Sequence, residues 1–406
     1  TAGESGEPID LYAGFNEHDE ARYIVEQIER WLEGGNPRAS AAVLYRSNAQ
    51  SRVLEEALIR AAIPYRIYGG QRFYERMEIR NALAYLRLLA NRGDDASVER
   101  VINTPPRGIG SKTLDTVREC ARDRGIPLWQ AIGAVLEEKL LPARALSALE
   151  GFTVLINELD SGTDAMNLEE LVEHVTNASG LVDYHQKEKG EKGQARVENL
   201  EELVNAAKQF VPEGEELSPL QQFLDNAALD AGDAQADEHE DSVQLMTLHS
   251  AKGLEFPLVF LAGMEENLFP HRMSLEEPGR LEEERRLCYV AITRAMEKLE
   301  ITDAESRRLH GGETFNTPSR FIREIPPGLL QEVRLHTTVS RPVSSILQAQ
   351  VPDTGLSLGQ RVYHQLFGEG IVLNFEGRGA SARVEVNFDQ EGSKWLVLQY
   401  ANLQLL

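Results

Sequence analysis

Two cysteines in 406 residues cannot make a disulfide framework. Cys120 and Cys288 stand far apart, each inside a helical pattern, and read as buried thiols of a reducing cytoplasm. No Cys/His group has the spacing of a zinc site. No stretch of about eighteen apolar residues occurs, which excludes a membrane-spanning helix. The opening Thr1-Ala2-Gly3-Glu4-Ser5-Gly6 is polar and acidic, unlike a secretory signal. An initiator Met is also missing, and the first residues read as the interior of a longer chain. Positive charge is scarce: 42 Lys and Arg face 65 Asp and Glu, for a net charge of −23. That balance excludes a general nucleic-acid coat but leaves room for a local basic track on an acidic body. A G-x-x-x-x-G-K-[ST] phosphate loop is absent, and so is a D-E-x-Q magnesium motif. In the nearest approach, Gly108-Ile109-Gly110-Ser111-Lys112-Thr113, Ser111 parts Gly110 from Lys112.

What is present suffices for about two to three domains with real cores, since 42% of the residues are apolar. Residues 9–16 read as a short strand. Glu17 to Leu32 reads as a helix with Ala21, Ile24, Val25 and Ile28 on one face, ended by Gly34-Gly35-Asn36-Pro37. Ala41 to Tyr45 is a buried strand, a helix follows through Ala61, and Ile63 to Tyr68 is the next strand. This β-α-β-α-β opening predicts a parallel sheet in an α/β fold. From Gly69 the pattern turns helical until about Leu229. Within it, Arg100, Arg107, Lys112, Arg118, Arg122 and Arg124 face only Asp115, Glu119 and Asp123, a local excess of positive charge. Gly108 to Thr113 predicts a tight turn into a helix N-terminus, whose N–H groups, with Lys112 and Thr113, would hold an anion. A helix–helix turn without a ligand is the alternative. Asp230 to Asp241 is acidic throughout, as in a solvated linker.

The most informative stretch is Ser242 to Leu299. Val243, Leu245 and Thr247 alternate with Gln244, Met246 and Leu248, as in a strand buried on both faces. A polar loop, His249 to Glu255, leads to a second apolar run, Leu258 to Gly263. Polar groups stranded between buried strands lie at the end of a sheet, where α/β proteins bind ligands. A helix from about Glu282 to Ala295 turns Leu287, Val290 and Ala291 to a core and delivers Arg294, ahead of a strand at Leu299-Glu300-Ile301. A permanently charged, bidentate guanidinium suits the neutralisation of a transferred phosphoryl group. A structural arginine held by an ion pair is the bland alternative.

The run Thr247 to Phe256 and the run Val290-Ala291-Ile292-Thr293-Arg294-Ala295 resemble motifs V and VI of UvrD-type superfamily 1 DNA helicases. Phe73, Glu75, Arg76 and Glu78 resemble a further motif of that family, as do Arg196, Glu198 and Asn199. These last three read as structural, pairing as helix neighbours. The resemblance runs the length of the chain but covers only the latter half of a family member. It implies a RecA-like, P-loop NTPase-like lobe without its own P-loop, residues 1–68 and 240–336. A mostly helical insertion, 69–239, interrupts the lobe and swivels on hinges near Tyr68 and His239. A mobile linker, 337–359, leads to a small Tudor-like β-barrel, 360–406, whose period-two pattern also stands in the residues.

The function so implied is that of the C-terminal half of an ATP-dependent 3′-to-5′ DNA helicase. It would serve nucleotide excision and mismatch repair and be bacterial, cytoplasmic and nucleoid-associated. Arg294 takes the part of arginine finger; Glu255 and Gly253 belong to the ATP site, with Glu255 accepting from a ribose hydroxyl. Mg2+ would be held by the preceding N-terminal RecA-like lobe, so this chain alone is expected to be inactive. Thr247, His249, Arg46 and Asn48 would touch single-stranded DNA, with helix capping an equal alternative for Asn48. Gly108, Gly110, Ser111, Lys112 and Thr113 would hold duplex DNA. Asp303 to Gly312 reads as a hairpin, in the family a strand-separation pin, with His310 at the tip where Tyr is expected. The barrel implies an RNA polymerase partner, with repair proteins as further partners, while its Phe367, Phe388 and Trp395 read as core. The alternative function is a non-catalytic adaptor joining duplex DNA to RNA polymerase.

Overall fold

The computed structural model describes residues 6–214, 217–232, 240–276, 279–309 and 312–333, then 361–364, 367–376, 383–388, 392–397 and 403–405. The chain opens with β1 (Ile9–Gly14), α1 (Glu17–Glu33), β2 (Ala41–Tyr45), α2 (Ser51–Arg60) and β3 (Tyr65–Ile67). A helical stretch follows: α3 (Met77–Ala90), α4 (Asp95–Val101), α5 (Ser111–Arg124), α6 (Leu128–Glu137), α7 (Ala143–Asp160), α8 (Leu168–Ala178), α9 (Leu181–Gln186), α10 (Glu191–Gln209) and α11 (Pro219–Gly232). Strands then resume with β4 (Val243–Thr247), β5 (Phe256–Leu261), α12 (Arg272–Glu276), α13 (Arg280–Ile292), β6 (Ala295–Ala304), β7 (Arg307–Leu309), β8 (Gly312–Thr314), α14 (Arg320–Glu324) and β9 (Leu330–Glu332). Last come β10 (Arg361–His364), β11 (Gly368–Glu376), β12 (Arg383–Phe388), β13 (Gly392–Val397) and β14 (Gln404–Leu405).

Seven strands form one sheet in the order β3-β4-β2-β5-β6-β1-β9, and every neighbouring pair is parallel. Both faces are covered, so alternate residues of the central strands serve different cores. Val43, Tyr45, Val243, Leu245 and Phe260 pack with Ile24 and Ile28 of α1 and Leu58 of α2. Ala42, Leu44, Met246, Val259 and Leu261 pack with Cys288 and Ala291 of α13 and Phe321 of α14. This is the RecA-like α/β lobe. The start of α1 is fixed locally: the Asn16 side chain accepts from the N–H groups of His18 at 3.1 Å and Asp19 at 3.0 Å, and three acids occupy the first turn.

The parallel register sorts the functional loops by edge. Tyr45 lies level with Thr247 and Leu44 with Leu261. Phe256 therefore sits about six register positions below Thr247, or about 20 Å along the strand direction. The loops after β2 and β4 lie at the carboxyl edge, and the starts of β5 and β6 at the opposite one.

Two elements differ from expectation. β3 is shorter than Ile63 to Tyr68, because Ala62 adopts φ 53° and Pro64 has no N–H for a ladder. α13 ends at Ile292 and β6 already begins at Ala295, so Arg294 lies in the joint between them. The exposed Met296 and Glu297 hide that early strand from the sequence pattern.

Helices α3 to α11 build their own core around Leu83, Leu86, Val98, Val117, Ile132, Phe152, Val175 and Leu200. One compact unit, Thr1–His336, contains both this core and the sheet. Arg52 of α2 donates to Glu202 of α10 at 2.6 Å. Arg76 donates to the Asn48 carbonyl and to Asn199 Oδ1, both at 2.9 Å. Arg196, Glu198 and Asn199 do not pair along their helix as i,i+3 neighbours. They reach to other elements: Arg196 to Glu188 at 2.6 Å, Asn199 to Glu78 at 2.6 Å, and Glu198 to the Ser47 hydroxyl at 2.6 Å.

The second unit, Thr337–Leu406, carries an antiparallel sheet in the order β13-β12-β11-β10-β14. Val362, Val384, Val386 and Phe388 are buried there with Phe367 against them. The expected linker 337–359, the hinge residue His239 and the hairpin-tip residue His310 lie outside the described residues. Among the described residues no helix is long and apolar enough to cross a membrane.

Candidate functional site

At the carboxyl edge of the sheet, the loops after β2 and β4 form one side of a cleft of about 740 Å³. Arg46, Asn48, Thr247 and His249 all line it. The opposite wall is the turn between α9 and α10, with Lys189, and the first half of α10, with Lys192 and Glu198. A second hollow of about 380 Å³ shares Asn48, Lys192 and Thr247 and runs on past Tyr68 and Arg76. The four residues expected to touch a single strand are thus brought together in one continuous groove.

Their chemistry differs. The Thr247 hydroxyl lies 3.0 Å from that of Ser250. His249 is exposed, yet loss of water around its ring and the neighbouring Arg46 charge hold its pKa below the usual 6.5. It therefore meets a ligand at neutral pH as an uncharged ring with one N–H to give. Arg46 is not a free cation. Its Nε and Nη2 grip both oxygens of Glu284 on α13 at 2.8–3.2 Å, leaving Nη1 outside the pair. Ser47, rather than Asn48, is the capping residue, in a reciprocal pair with Gln50. Asn48 keeps its side chain for the cleft.

The residues expected at the nucleotide gather at the opposite edge. Arg294 Nη1 donates to the Leu254 carbonyl at 2.7 Å, Nε to the Val290 carbonyl at 2.9 Å, and Nη2 to Thr293 Oγ1 at 3.0 Å. The backbone closes the same joint, since Phe256 N–H donates to the Arg294 carbonyl at 2.9 Å. The guanidinium is half-buried and makes no ion pair among the described residues. Glu255, next to Leu254, is exposed, as is Gly253 at φ 88°. Arg294, Glu255 and Gly253 therefore share one rim, and the acceptors around the guanidinium are two carbonyls and a hydroxyl, all neutral.

The turn before α5 is braced from beneath. Asn103 Oδ1 accepts from the N–H groups of Arg107 at 2.7 Å and Ile109 at 3.1 Å. Arg107 donates inward to the carbonyls of Val101, Pro105 and Ser179 and to the Tyr85 hydroxyl. Gly108 takes φ 82°, a conformation that excludes most side chains. Gly110, Ser111 and Lys112 are exposed, whereas Thr113 is buried with its N–H bonded to the Gly110 carbonyl at 3.1 Å. The local positive excess is also smaller than a count of charges predicts. Arg107 is internal, Arg118 pairs with Glu99 and Asp115, and Arg124 pairs with Glu138. Lys112 and Arg122 are exposed and outside any ion pair among the described residues. The expected hairpin is present, with Arg307 opposite Thr314 and Leu309 opposite Gly312.

Sequence reasoning missed three residues at the cleft. Glu284 holds Arg46, Glu198 accepts from Ser47, and His271 Nε2 lies 3.2 Å from Glu198 Oε1. Burial works against charge on Glu284, yet Arg46, with the His271 N–H and the Ser274 hydroxyl, together outweigh it and keep the carboxyl below its usual range. The only sequence signal was Glu198 inside a family motif; Glu284 stood in a run of acids with nothing to single it out.

Comparison with known proteins fits this geometry. Residues 1–306 match the family described as UvrD-like helicase C-terminal domain, and residues 358–404 match the PcrA/UvrD tudor domain. The chain is 58% identical over 409 residues to DNA helicase II of Escherichia coli (strain K12), covering 100% of this chain and 57% of that protein. It is 52% identical to DNA helicase II of Haemophilus influenzae, over 100% of this chain and 56% of the relative. Against the ATP-dependent DNA helicase PcrA of Staphylococcus epidermidis the figure is 38%, over 99% and 57%. The chain thus spans somewhat more than half the length of these relatives. With its parallel sheet, its Thr247–Phe256 and Val290–Ala295 runs at the two sheet edges and its family match over 306 residues, the chain belongs to the UvrD-like helicases.

Proposed function

We propose that this chain is the second-lobe half of an ATP-dependent 3′-to-5′ DNA helicase acting in nucleotide excision and mismatch repair. The observation that carries the reading is the rim of Arg294, Glu255 and Gly253, where a guanidinium without a carboxylate partner stands beside an exposed acid. ATP would lie against this rim when a preceding RecA-like lobe covers it. Arg294 would then exchange carbonyl partners for the terminal phosphate, and Glu255 would accept from the ribose. The ligands of Mg2+ are assigned to the preceding lobe. That ion would neutralise phosphate charge there.

Thr247, His249 and Asn48 contact single-stranded DNA along the cleft, with Arg46 fixing their loop through Glu284. Gly108, Gly110, Ser111 and Lys112 hold duplex phosphate, and Thr113 supports the turn from within. Residues 1–68 and 240–336 act as the lobe, 69–239 as a swivelling insertion, and 360–406 as a barrel that docks RNA polymerase or repair proteins after the 337–359 linker. A bacterial cytoplasm is the setting.

The test joins this chain to its preceding lobe and compares Arg294→Ala with the parent. Turnover should fall by about 10³-fold or more, while ATP binding changes little. This chain alone should not hydrolyse ATP. Equal turnover in variant and parent would remove the finger role, and hydrolysis by the isolated chain would remove the shared-site reading. An adaptor without catalysis would give no DNA-stimulated turnover in the joined protein either.

A further inference from the structure

Among the described residues the hairpin β7–β8 pairs with no other strand. Three register pairs hold it together, and a two-stranded hairpin of that size has little stability of its own. Backbone bonds from Glu305 and Ser306 to the carbonyls of Gly14 and Phe15 hold its entry, and the first residue of β7 reaches deepest into the lobe. We propose that Arg307 is a positioning residue that roots the hairpin in the lobe and so sets where the hairpin meets a DNA strand. The second half of this statement rests on the helicase reading above; the first does not.

Arg307 lies inside the protein, with 6% of its side chain exposed. Its Nη2 donates to Glu20 of α1 and, at 2.6 Å, to Glu265, which follows β5; its Nε donates to both oxygens of Glu265 at 3.1 and 3.2 Å. Both carboxylates are themselves fixed. Glu20 accepts from Gly263 N–H at 2.7 Å and Thr302 Oγ1 at 2.6 Å, and Glu265 accepts from Ala304 N–H at 2.9 Å. One guanidinium therefore ties the hairpin to a helix and to the loop that follows a central strand at once. Its rigid fork suits that geometry, and a single ammonium would hold the two acids less well.

A third acid completes the cluster. Asp303, the penultimate residue of β6, is buried, and its Oδ1 has no hydrogen-bond partner among the described residues. Burial, then the charges of Glu20 and Glu265, raise its pKa to about 8 against the pull of Arg307, with Glu305 adding to the rise. Near neutral pH Asp303 is protonated, and Arg307 serves two acids. Opening the cluster to water would return Asp303 to an ordinary carboxyl that ionises readily, so the root weakens as pH rises toward 8 and weakens no further above it.

Amide hydrogen exchange on this chain tests the root. Arg307→Gln should speed exchange in β7 and β8 by at least about tenfold while the amides of β2 and β5 keep their protection. Arg307→Lys should restore part of the loss. In the parent, hairpin protection corrected for intrinsic rates should fall from about pH 6 to about pH 8 and level off above that, and Asp303→Asn should flatten the fall. Unchanged hairpin protection in Arg307→Gln, or an undiminished pH fall in Asp303→Asn, would overturn the root. Should Arg307→Gln not fold, Arg307→Lys and Asp303→Asn carry the same decision. In the chain joined to its preceding lobe, Arg307→Gln should lower unwinding at least about tenfold and leave single-strand-stimulated ATP turnover within about twofold. A loosened hairpin with undiminished unwinding would overturn the strand-positioning role alone. Absence of turnover in the joined parent would instead count against the helicase reading and leave the root to the exchange result.

Discussion

Consider removing Arg46 from its partner. Nε and Nη2 of Arg46 meet both oxygens of Glu284 at 2.8–3.2 Å, and only 13% and 6% of the two side chains are exposed. Breaking a buried pair by deleting one partner costs about 3–5 kcal/mol when the survivor is left bare. Glu284 is not left bare, since the His271 N–H and the Ser274 hydroxyl each donate to it at 3.2 Å. Arg46→Gln should therefore cost about 2–3 kcal/mol. Glu284→Gln leaves a guanidinium at the cleft wall with water in reach, and should cost about 1–2 kcal/mol. The double variant removes both charges, so the coupling should be about 1–3 kcal/mol. Urea unfolding of the four proteins, with equal slopes, measures it. The acid side has a definite sign. Glu284 has its folded pKa below the usual 4.5, so its contribution is fully present above that pH and is lost as pH falls through the lower folded value. Coupling measured at about pH 3 should thus be smaller than at pH 7. The same proteins decide how Arg46 serves DNA. A direct phosphate contact adds about 0.7 to the salt slope of single-strand binding. We expect Arg46→Gln and Glu284→Gln to weaken binding alike with the slope unchanged. Coupling below about 0.5 kcal/mol, with a slope lowered in Arg46→Gln alone, would refute the argument.

Two further outcomes follow from single positions. A Cβ on Gly193 would lie 2.3 Å from the Glu188 carbonyl oxygen and 2.7 Å from that of His185, both backbone. Gly193→Ala should cost about 1–3 kcal/mol by overpacking and shift the cleft wall, so a lowered melting temperature and weaker single-strand binding should appear together. Lys112→Ala should lower the salt slope of duplex binding by about 1, whereas Arg118→Ala, whose charge already serves Glu99 and Asp115, should change it little.

Much of the lobe was legible because period and burial agree there. Ala41 to Tyr45 is apolar throughout and buried throughout, and the alternation from Val243 to Leu248 sorts those residues onto the two sheet faces as the pattern said. Where polar side chains occupy a strand, as at Glu297 and Lys298 in β6, the pattern failed, since edge exposure mimics a loop. The groove residues were legible as a set, but their pairing was not. Arg46 and Glu284 are 238 positions apart, and nothing local marks one acid in Glu282-Glu283-Glu284 as the buried one. Arg107 counted as surface charge for the same reason: composition records a guanidinium, and only the fold shows it turned toward Tyr85. The hairpin announced itself through its Gly-Gly turn, while the acids that anchor it come from α1 and the end of β5.

The segment joining β4 to β5 has a mechanical consequence. It is eight residues long, 248–255, and must descend the full height of the sheet. Eight residues pulled straight reach at most about 28 Å, against the roughly 20 Å that separates the two rows. The spare length is wound into turns, in which the N–H groups of Ser250 and Ala251 donate to the Thr247 carbonyl and that of Leu254 to the Ala251 carbonyl, while Leu248 and Ala251 are buried in the layer beneath. One short, anchored segment therefore carries Thr247 at one edge of the sheet and, at the other, Leu254, whose carbonyl accepts from the Arg294 guanidinium.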